Sequence, residues 1–187
     1  MKKTLISLAI AGSALLSQSV MAHSSIVEQT IVEGERAYLT IQVPHGCKND
    51  AGDKKMTNGI IIKMPNSQEE IDAGWAFTSV APVQSYVKEQ RTKTVSVQMA
   101  NRDGVVEATD IVSEIALLHL HLPYSWVLKA QFRGRVPMLP EGEMEKELNF
   151  DIVQYCPDGT TAEWTMANGK AAHVTVVKAP EGEAAHH

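Results

Sequence analysis

Histidines are the side chains of this chain best suited to bind a metal ion, and the sequence contains seven of them. His119 and His121 are two residues apart in the stretch HLHLP, so on a strand they would share a face and could bind one ion. The same spacing is typical of the polar face of a half-exposed strand, and we favour that interpretation. We expect His45 and His173 to be structural.

His23 differs from the other histidines because it follows a segment with the pattern of a cleavable export signal. Lys2 and Lys3 precede an apolar run over residues 5–16, and Val20-Met21-Ala22 offers the small residues that signal peptidase recognises. The apolar run is shorter than the roughly 20 residues of a transmembrane helix. We therefore predict a signal peptide over residues 1–22, cleaved before His23, in preference to a membrane-anchored or buried helix.

Cleavage would give His23 a second nitrogen donor, its own α-amine. The amine and the ring Nδ1 of one histidine can close a small chelate ring around a metal ion. The reference pKa of an α-amine is about 8, so a strongly competing cation can displace its proton near neutral pH. Nitrogen donors favour Cu(II) among the common divalent metals. A carboxylate would be needed to complete and neutralise such a site.

The charge of the chain argues against nucleic acid and anionic membranes as partners. Loss of the export signal removes Lys2 and Lys3 and no acidic residue, so the net charge moves from −5 to −7. No cluster of lysine or arginine offsets this charge. No second apolar segment approaches membrane length, so we expect no membrane span in the mature chain.

The two cysteines are consistent with an oxidising compartment. Cys47 and Cys156 are far apart and do not form a CxxC motif. Distant cysteines in an exported protein most simply pair, and a bridge closing a loop of about a hundred residues is worth roughly 4 to 5 kcal/mol in chain-entropy models. The alternative is two free thiols that bind Cu(I). We favour the disulfide.

Short segments of alternating apolar and polar residues recur along the chain and predict an all-β fold. RAYLTIQVP is the clearest, and the regular spacing of such segments is typical of an antiparallel sandwich or barrel. Helical turns are expected only in NSQEEIDAGWAF and, ambiguously, in GVVEATDIVSEIALL. We predict one β domain over residues 23–179 and a disordered polar tail over 180–187, whose His186 and His187 could bind metal weakly.

Two blocks of the sequence resemble YcnI-like secreted domains. AHSSIVEQTIVEGERAYLTIQVPHGC is similar to the opening of that family, in which a glycine leads into a strand that ends in V-P-H-G-C. FDIVQYCPDGTTAEWT is similar to its closing motif, in which V-Q-x-C is followed by a turn and a tryptophan. The resemblance covers most of residues 22–168, but the chain departs from the family over residues 50–58 and 85–121.

The resemblance implies a periplasmic or cell-surface copper-binding domain with an immunoglobulin-like, cupredoxin-like sandwich. It also implies a metal site made of the N-terminal histidine, a glutamate and a tryptophan. His23 and Trp164 match the first and the last, and both Glu28 and Glu35 are candidates for the glutamate. A core role for Trp164 is the alternative, although an indole face can also stabilise a nearby cation.

We therefore expect a non-enzymatic, periplasmic protein that binds Cu(II) for storage, delivery or homeostasis. Its partners would be the copper ion and a copper transporter or a cuproprotein under assembly. One alternative is a copper-dependent oxidative enzyme like the lytic polysaccharide monooxygenases, which also begin with histidine. Such enzymes use a second histidine and a flat aromatic surface, whereas aromatic residues make up 5% of this chain. Another alternative is a metal-free exported sandwich that binds a protein partner.

Overall fold

A computed structural model describes residues 23–48, 51–81, 87–100 and 105–180. The predicted signal peptide, residues 1–22, and most of the predicted tail, including His186 and His187, lie outside the described residues. Among the residues that the structure describes, no helix is both long and apolar enough to cross a membrane.

Strands dominate the described chain. In chain order they are β1 (Ser25–Ile26), β2 (Thr30–Val32), β3 (Arg36–Val43), β4 (Thr57–Lys63), β5 (Ala76–Val80), β6 (Glu89–Ala100), β7 (Val106–Leu122), β8 (Leu128–Arg135), β9 (Glu145–Tyr155), β10 (Thr161–Trp164) and β11 (Ala172–Val177). A short helix, α1 (Gln68–Asp72), follows β4, and a 3-10 turn (Met166–Asn168) follows β10.

The strands form two sheets, which confirms the predicted sandwich. The smaller sheet has the order β1-β3-β8-β5, and the larger has the order β2-β11-β9-β4-β7-β6 with β10 paired to β9. All pairs are antiparallel except β2 and β11, which run parallel, so the larger sheet is mixed. The parallel pairing of β2 with β11 is the one exception to the antiparallel pairing expected from the sequence.

One apolar core fills the space between the sheets. The alternation predicted for β3 is confirmed, since Ala37, Leu39, Ile41 and Val43 are all buried. From the facing sheet β9 contributes Leu148, Phe150 and Ile152, and each such side chain contributes about 1.5 to 3 kcal/mol by leaving water. The core therefore holds the two sheets in register across the sandwich.

The two segments with helical character fold differently. Ser67 caps α1 in a capping box with Glu70, which explains why a helix begins there. The ambiguous segment GVVEATDIVSEIALL contributes to β7 instead, because Ser113, Ile115 and Leu117 are buried while the residues between them are partly exposed. This alternation overrides the helical propensity of the segment's glutamates and alanines.

The first two strands close one edge of the sandwich. β1 pairs with β3 in the smaller sheet, whereas β2 pairs with β11 in the larger sheet. The chain then turns at Gly34, whose φ of 76° is in the left-handed region that suits glycine. The chain thus crosses from the smaller sheet to the larger sheet between β1 and β2, and this crossing sets the position of the residues before β1 and after β2.

Glu33, in the turn after β2, is a buried carboxylate that ties two loops to this edge. Its Oε2 accepts a hydrogen bond of 2.7 Å from the Leu139 N–H, and its Oε1 accepts one of 3.1 Å from the Ala179 N–H. The bond from Leu139 lowers the pKa of Glu33 most; burial raises it, and the bond from Ala179 and the nearby Lys178 lower it further. The net effect is a lowered pKa of Glu33, because the ionised carboxylate accepts both hydrogen bonds.

We predict that Glu33→Gln lowers the thermal midpoint at neutral pH, because the amide nitrogen cannot accept a backbone hydrogen bond. The stability from the lowered pKa is fully present above the ordinary value of 4.5. It is lost as the pH falls through the lower pKa of the folded state. Thermal unfolding between about pH 7 and about pH 3 measures the effect.

The matched control is Glu35→Gln, because Glu35 is exposed in the same turn. The thermal midpoint of the Glu35→Gln variant should equal that of the unsubstituted protein at every pH. A midpoint difference for Glu33→Gln that does not shrink in acid would contradict the role of the ionised carboxylate.

Candidate metal centre

His23 lies two residues before β1. Ser25 and Ile26 pair with Gln42 and Ile41 of β3, and continuing this antiparallel register places His23 beside Pro44. The Val27 N–H donates to the Thr40 carbonyl at 2.9 Å, which fixes the other end of β1. The side chain of His23 is exposed. The ring of His23 is therefore open to solvent, two residues before the first paired residue of β1.

The disulfide lies at the same end of the sandwich. Cys47 and Cys156 are bridged with an S–S distance of 2.07 Å, and they join the loop after β3 to the end of β9 across 109 residues. The predicted disulfide is confirmed, and the alternative of two free thiols as copper ligands is excluded. The two sequence blocks that resemble YcnI-like domains thus meet in space.

Close packing explains the residues that surround the bridge. A Cβ on Gly46 would come within 2.6 Å of the Lys55 carbonyl oxygen, so the P-H-G-C segment has no room for a larger residue. Gln154 is fully buried, and its Nε2 donates to the His45 carbonyl at 3.0 Å and to the Thr57 hydroxyl. These contacts make the region beside His23 rigid.

The imidazole ring of His45 contacts neighbouring residues through its Nδ1 and through its face. Its Nδ1 is 2.5 Å from the Gly46 carbonyl oxygen, and its ring stacks on Tyr124 with the ring centres 4.8 Å apart. Lys54 lies over the same tyrosine ring, 5.0 Å from its centre. These contacts are those of a structural residue.

Two buried oxygens near this end lack a hydrogen-bond partner in the described chain. They are the Oγ of Ser24 and the Oε1 of Gln154. Buried polar atoms in proteins normally bind a protein group, a water or a ligand. One of these two oxygens therefore belongs to the residue next to His23.

Glu28 is held by β3, away from His23. Its Oε2 accepts a 2.6 Å bond from the Thr40 N–H, and its Oε1 accepts a 2.9 Å bond from the Thr40 hydroxyl. Thr40 is four residues before Pro44, which corresponds to about 13 Å along a strand. Glu28 therefore acts as a clamp between the segment after β1 and the outer face of β3.

Glu35 lies still farther from His23. It is exposed in the turn that leads into β3, whereas His23 is aligned with Pro44 beyond the other end of that strand. Nine residues of extended chain separate these points, or roughly 30 Å. Neither of the two candidate glutamates is brought to His23.

Trp164 is a core residue. It ends β10, where it pairs with Ile152, and only 6% of its surface is exposed. It belongs to the same core cluster as Ile26, three residues after His23. The structure thus agrees with the core interpretation, and a contact of the indole with metal stays a prediction.

His119 and His121 do not form part of a larger metal-binding group. Both are exposed, and His119 has a φ of 51° where the pairing of β7 with β4 is interrupted by a bulge. The Nε2 of His119 is 3.4 Å from the Oε2 of Glu89. No group of three or more His, Cys, Asp or Glu side chains that could hold a metal occurs among the residues described.

Comparison with known proteins identifies a family and similar folds. Residues 23–182 match the family described as "Domain of unknown function (DUF1775)". A Nocardia farcinica protein with an immunoglobulin-like fold is 16% identical over 85% of this chain and 99% of its own, with a TM-score of 0.41. A cohesin module from a Clostridium perfringens family 33 glycoside hydrolase is 12% identical over 84% and 97%, with a TM-score of 0.46. No curated protein matches the chain.

We predict that Glu28→Gln lowers the stability of the fold by roughly 1 kcal/mol, because one of the two acceptors for Thr40 becomes a donor. For a domain of this size this corresponds to a fall of about 2 to 4 °C in thermal midpoint. Differential scanning calorimetry of the mature chain measures it, and Glu35→Gln is again the control. An unchanged midpoint combined with lost Cu(II) binding would make Glu28 a ligand and not a clamp.

Proposed function

Because the chain belongs to the DUF1775 family, we propose that it is an exported protein that binds Cu(II) at a mature N-terminal His23. The YcnI-like domains, which the sequence resembles, are part of this family. The observation that carries the proposal is that the family match begins at His23, the residue that directly follows the predicted export signal. In this proposal the periplasm is the site of function.

The chemistry of the proposed site comes from one residue. The α-amine and the Nδ1 of His23 supply two nitrogen donors that favour Cu(II). The pairing of β1 with β3 begins two residues after His23, which limits the conformational entropy that the main chain can lose when the metal binds. Trp164 supports the site from the core, and Glu28 holds the strand that carries it.

An exposed site of this kind suits transfer of copper. Two donors from one residue leave coordination positions that water occupies until a ligand from a partner replaces it. We propose a role in delivery or buffering of periplasmic copper, with a copper transporter or a cuproprotein under assembly as the recipient. A binding protein is favoured over an oxidative enzyme because such enzymes use a flat aromatic surface, and aromatic residues make up only 5% of this chain.

We predict that His23→Ala loses most Cu(II) binding, because one substitution removes the ring half of a chelate. Acetylation of the α-amine should cause a comparable loss while the imidazole stays intact. A variant with one extra residue before His23 should behave like the acetylated protein. Competition titrations of the mature protein against a Cu(II) chelator measure all three, after mass spectrometry has established the N-terminus of each sample.

The control for these titrations is the double variant His119→Ala with His121→Ala, which should bind Cu(II) as the unsubstituted protein does. Both side chains are exposed, so the substitutions leave the core intact. If the double variant loses binding while the acetylated protein binds normally, the site lies in HLHLP and the proposal is wrong.

A further inference from the structure

The two sheets of the sandwich differ in charge. The strands of the smaller sheet, β1, β3, β5 and β8, hold four basic residues and no acidic one. The strands of the larger sheet hold eight acidic residues against four basic ones. The whole chain has a net charge of −5. The smaller sheet is therefore a local positive exception in an acidic protein.

The basic residues of the smaller sheet share its outer face, because the residues that alternate with them fill the core. They are Arg36, Lys129, Arg133 and Arg135. Arg36 is aligned with Arg135 across β3 and β8, and Tyr38 is aligned with Arg133 in the same pairing. Tyr38 is 66% exposed. Strand pairing thus assembles an arginine face, made of Arg36, Arg133, Arg135 and Tyr38, that the linear sequence does not show.

The positive charge of the arginine face is not neutralised by acidic partners. None of the ion pairs formed among the described residues involves Arg36, Arg133 or Arg135. Arg133 donates from Nη2 to the Ser79 hydroxyl at 3.1 Å. Arg135 donates from Nη1 to the Ala100 carbonyl at 2.9 Å. Both acceptors are neutral, and each guanidinium has five N–H donors, so donors remain for a further partner.

The alignment of Arg36 with Arg135 has a cost in stability. Like charges directly opposite each other on a sheet destabilise it. Both side chains are exposed, so solvent reduces this repulsion but does not turn it into an attraction. Local conflicts of this kind are expected at functional sites, where a binding requirement outweighs stability.

A cleft of about 370 Å³ opens on the same outer face. Tyr38 and Arg133 line it together with Ser79, which is aligned with Arg133 on β5. Arg133 is half-buried and carries the only positive charge among the described residues of the lining. Glu28 also lines the cleft, but both of its carboxylate oxygens accept bonds from Thr40. The cleft therefore presents a half-buried guanidinium beside an exposed aromatic ring.

We propose that the arginine face docks an extended acidic segment of a protein partner, with one carboxylate of that segment in the cleft on Arg133. A guanidinium matches a carboxylate through two parallel hydrogen bonds. Arg133 and Arg135 are two residues apart on one strand, or about 7 Å, which is also the spacing of alternate side chains in an extended peptide. Acidic residues at every second position would face both arginines. Tyrosine and arginine are among the residues that contribute most to binding at protein interfaces.

A short acidic segment fits the charge distribution better than an extended polyanion. Electrostatic attraction between exposed groups falls off over about 8 Å at physiological ionic strength. A short segment stays within that distance of the arginine face. A membrane surface or a nucleic acid would also approach the acidic remainder of the chain. This docking needs no bound metal, so it is independent of the proposed copper site.

The test uses the metal-free mature protein and a fluorescently labelled peptide in which glutamate alternates with serine. Fluorescence anisotropy should show that this peptide binds, that binding weakens as NaCl is added, and that the glutamine analogue does not bind. Arg133→Gln should weaken binding by about tenfold, because a hydrogen bond to a charged, half-buried group is lost. Arg36→Gln should weaken it about two- to fivefold, as expected for an exposed ion pair.

Arg91→Gln is the matched control, because Arg91 is an exposed strand arginine of the larger sheet that already pairs with Glu89 at 2.5 Å. It should bind the peptide as the unsubstituted protein does. Arg36→Gln should also keep or raise the thermal midpoint, since it removes a like-charge pair. A weaker affinity in that variant is then not the result of unfolding.

Equal binding of the glutamine analogue, or equal weakening by Arg91→Gln, would overturn the proposal. Phosphatidylglycerol vesicles are a second probe. If the vesicles bind, the peptide does not, and Arg133→Gln releases the vesicles, the arginine face is a membrane contact. Self-association without peptide binding, seen in analytical ultracentrifugation and lost in Arg133→Gln, would instead make a second copy of the chain the occupant.

Discussion

The two sheets are tied together at one edge by the main-chain hydrogen bonds of a single segment, from Ser25 to Val32. β1 pairs antiparallel with β3 in one sheet, and β2 pairs parallel with β11 in the other. Every backbone group in such a segment must find a partner when it is buried, so the crossing fixes the position of the residues on both sides. His23 is placed at one end of the edge and the buried carboxylate of Glu33 at the other.

The end at His23 is rigid for reasons that lie far away in sequence. The Cys47–Cys156 bridge and the bonds of Gln154 to His45 and Thr57 join the loop after β3 to the end of β9. Gly46 allows this close approach because any side chain would meet the backbone. A flexible N-terminus would lose entropy on binding a metal, and the pairing of Ser25 and Ile26 with β3 limits that freedom two residues after His23.

Much of this architecture could be predicted from the sequence. The period-two pattern of β3 and the capping box of α1 are local signals, and the disulfide followed from the number of cysteines and the expected compartment. The pairing of β2 with β11 could not be predicted, because a three-residue strand carries almost no pattern and its partner is more than 140 residues away. β7 was ambiguous because its alanine and glutamates favour a helix while its valines and isoleucines favour a strand.

The candidate site was harder to predict than the fold. The position of His23 after a predicted export signal is a local feature, but the choice between Glu28 and Glu35 depends on register. Only the pairing of β1 with β3 shows that both are far from His23 along the strand. A glutamate beside a glycine turn also suggests a solvated residue, so the buried role of Glu33 was missed.

The central claim is that Cu(II) binds the α-amine and the ring of the same residue. Electron–nuclear double resonance on the Cu(II)-loaded mature protein, produced with nitrogen-15 in the histidine rings only, tests it most directly. The account predicts two strongly coupled nitrogens, one nitrogen-15 from an imidazole and one nitrogen-14 from the amine. Strong couplings from nitrogen-15 alone, with two imidazoles and no amine, would contradict it.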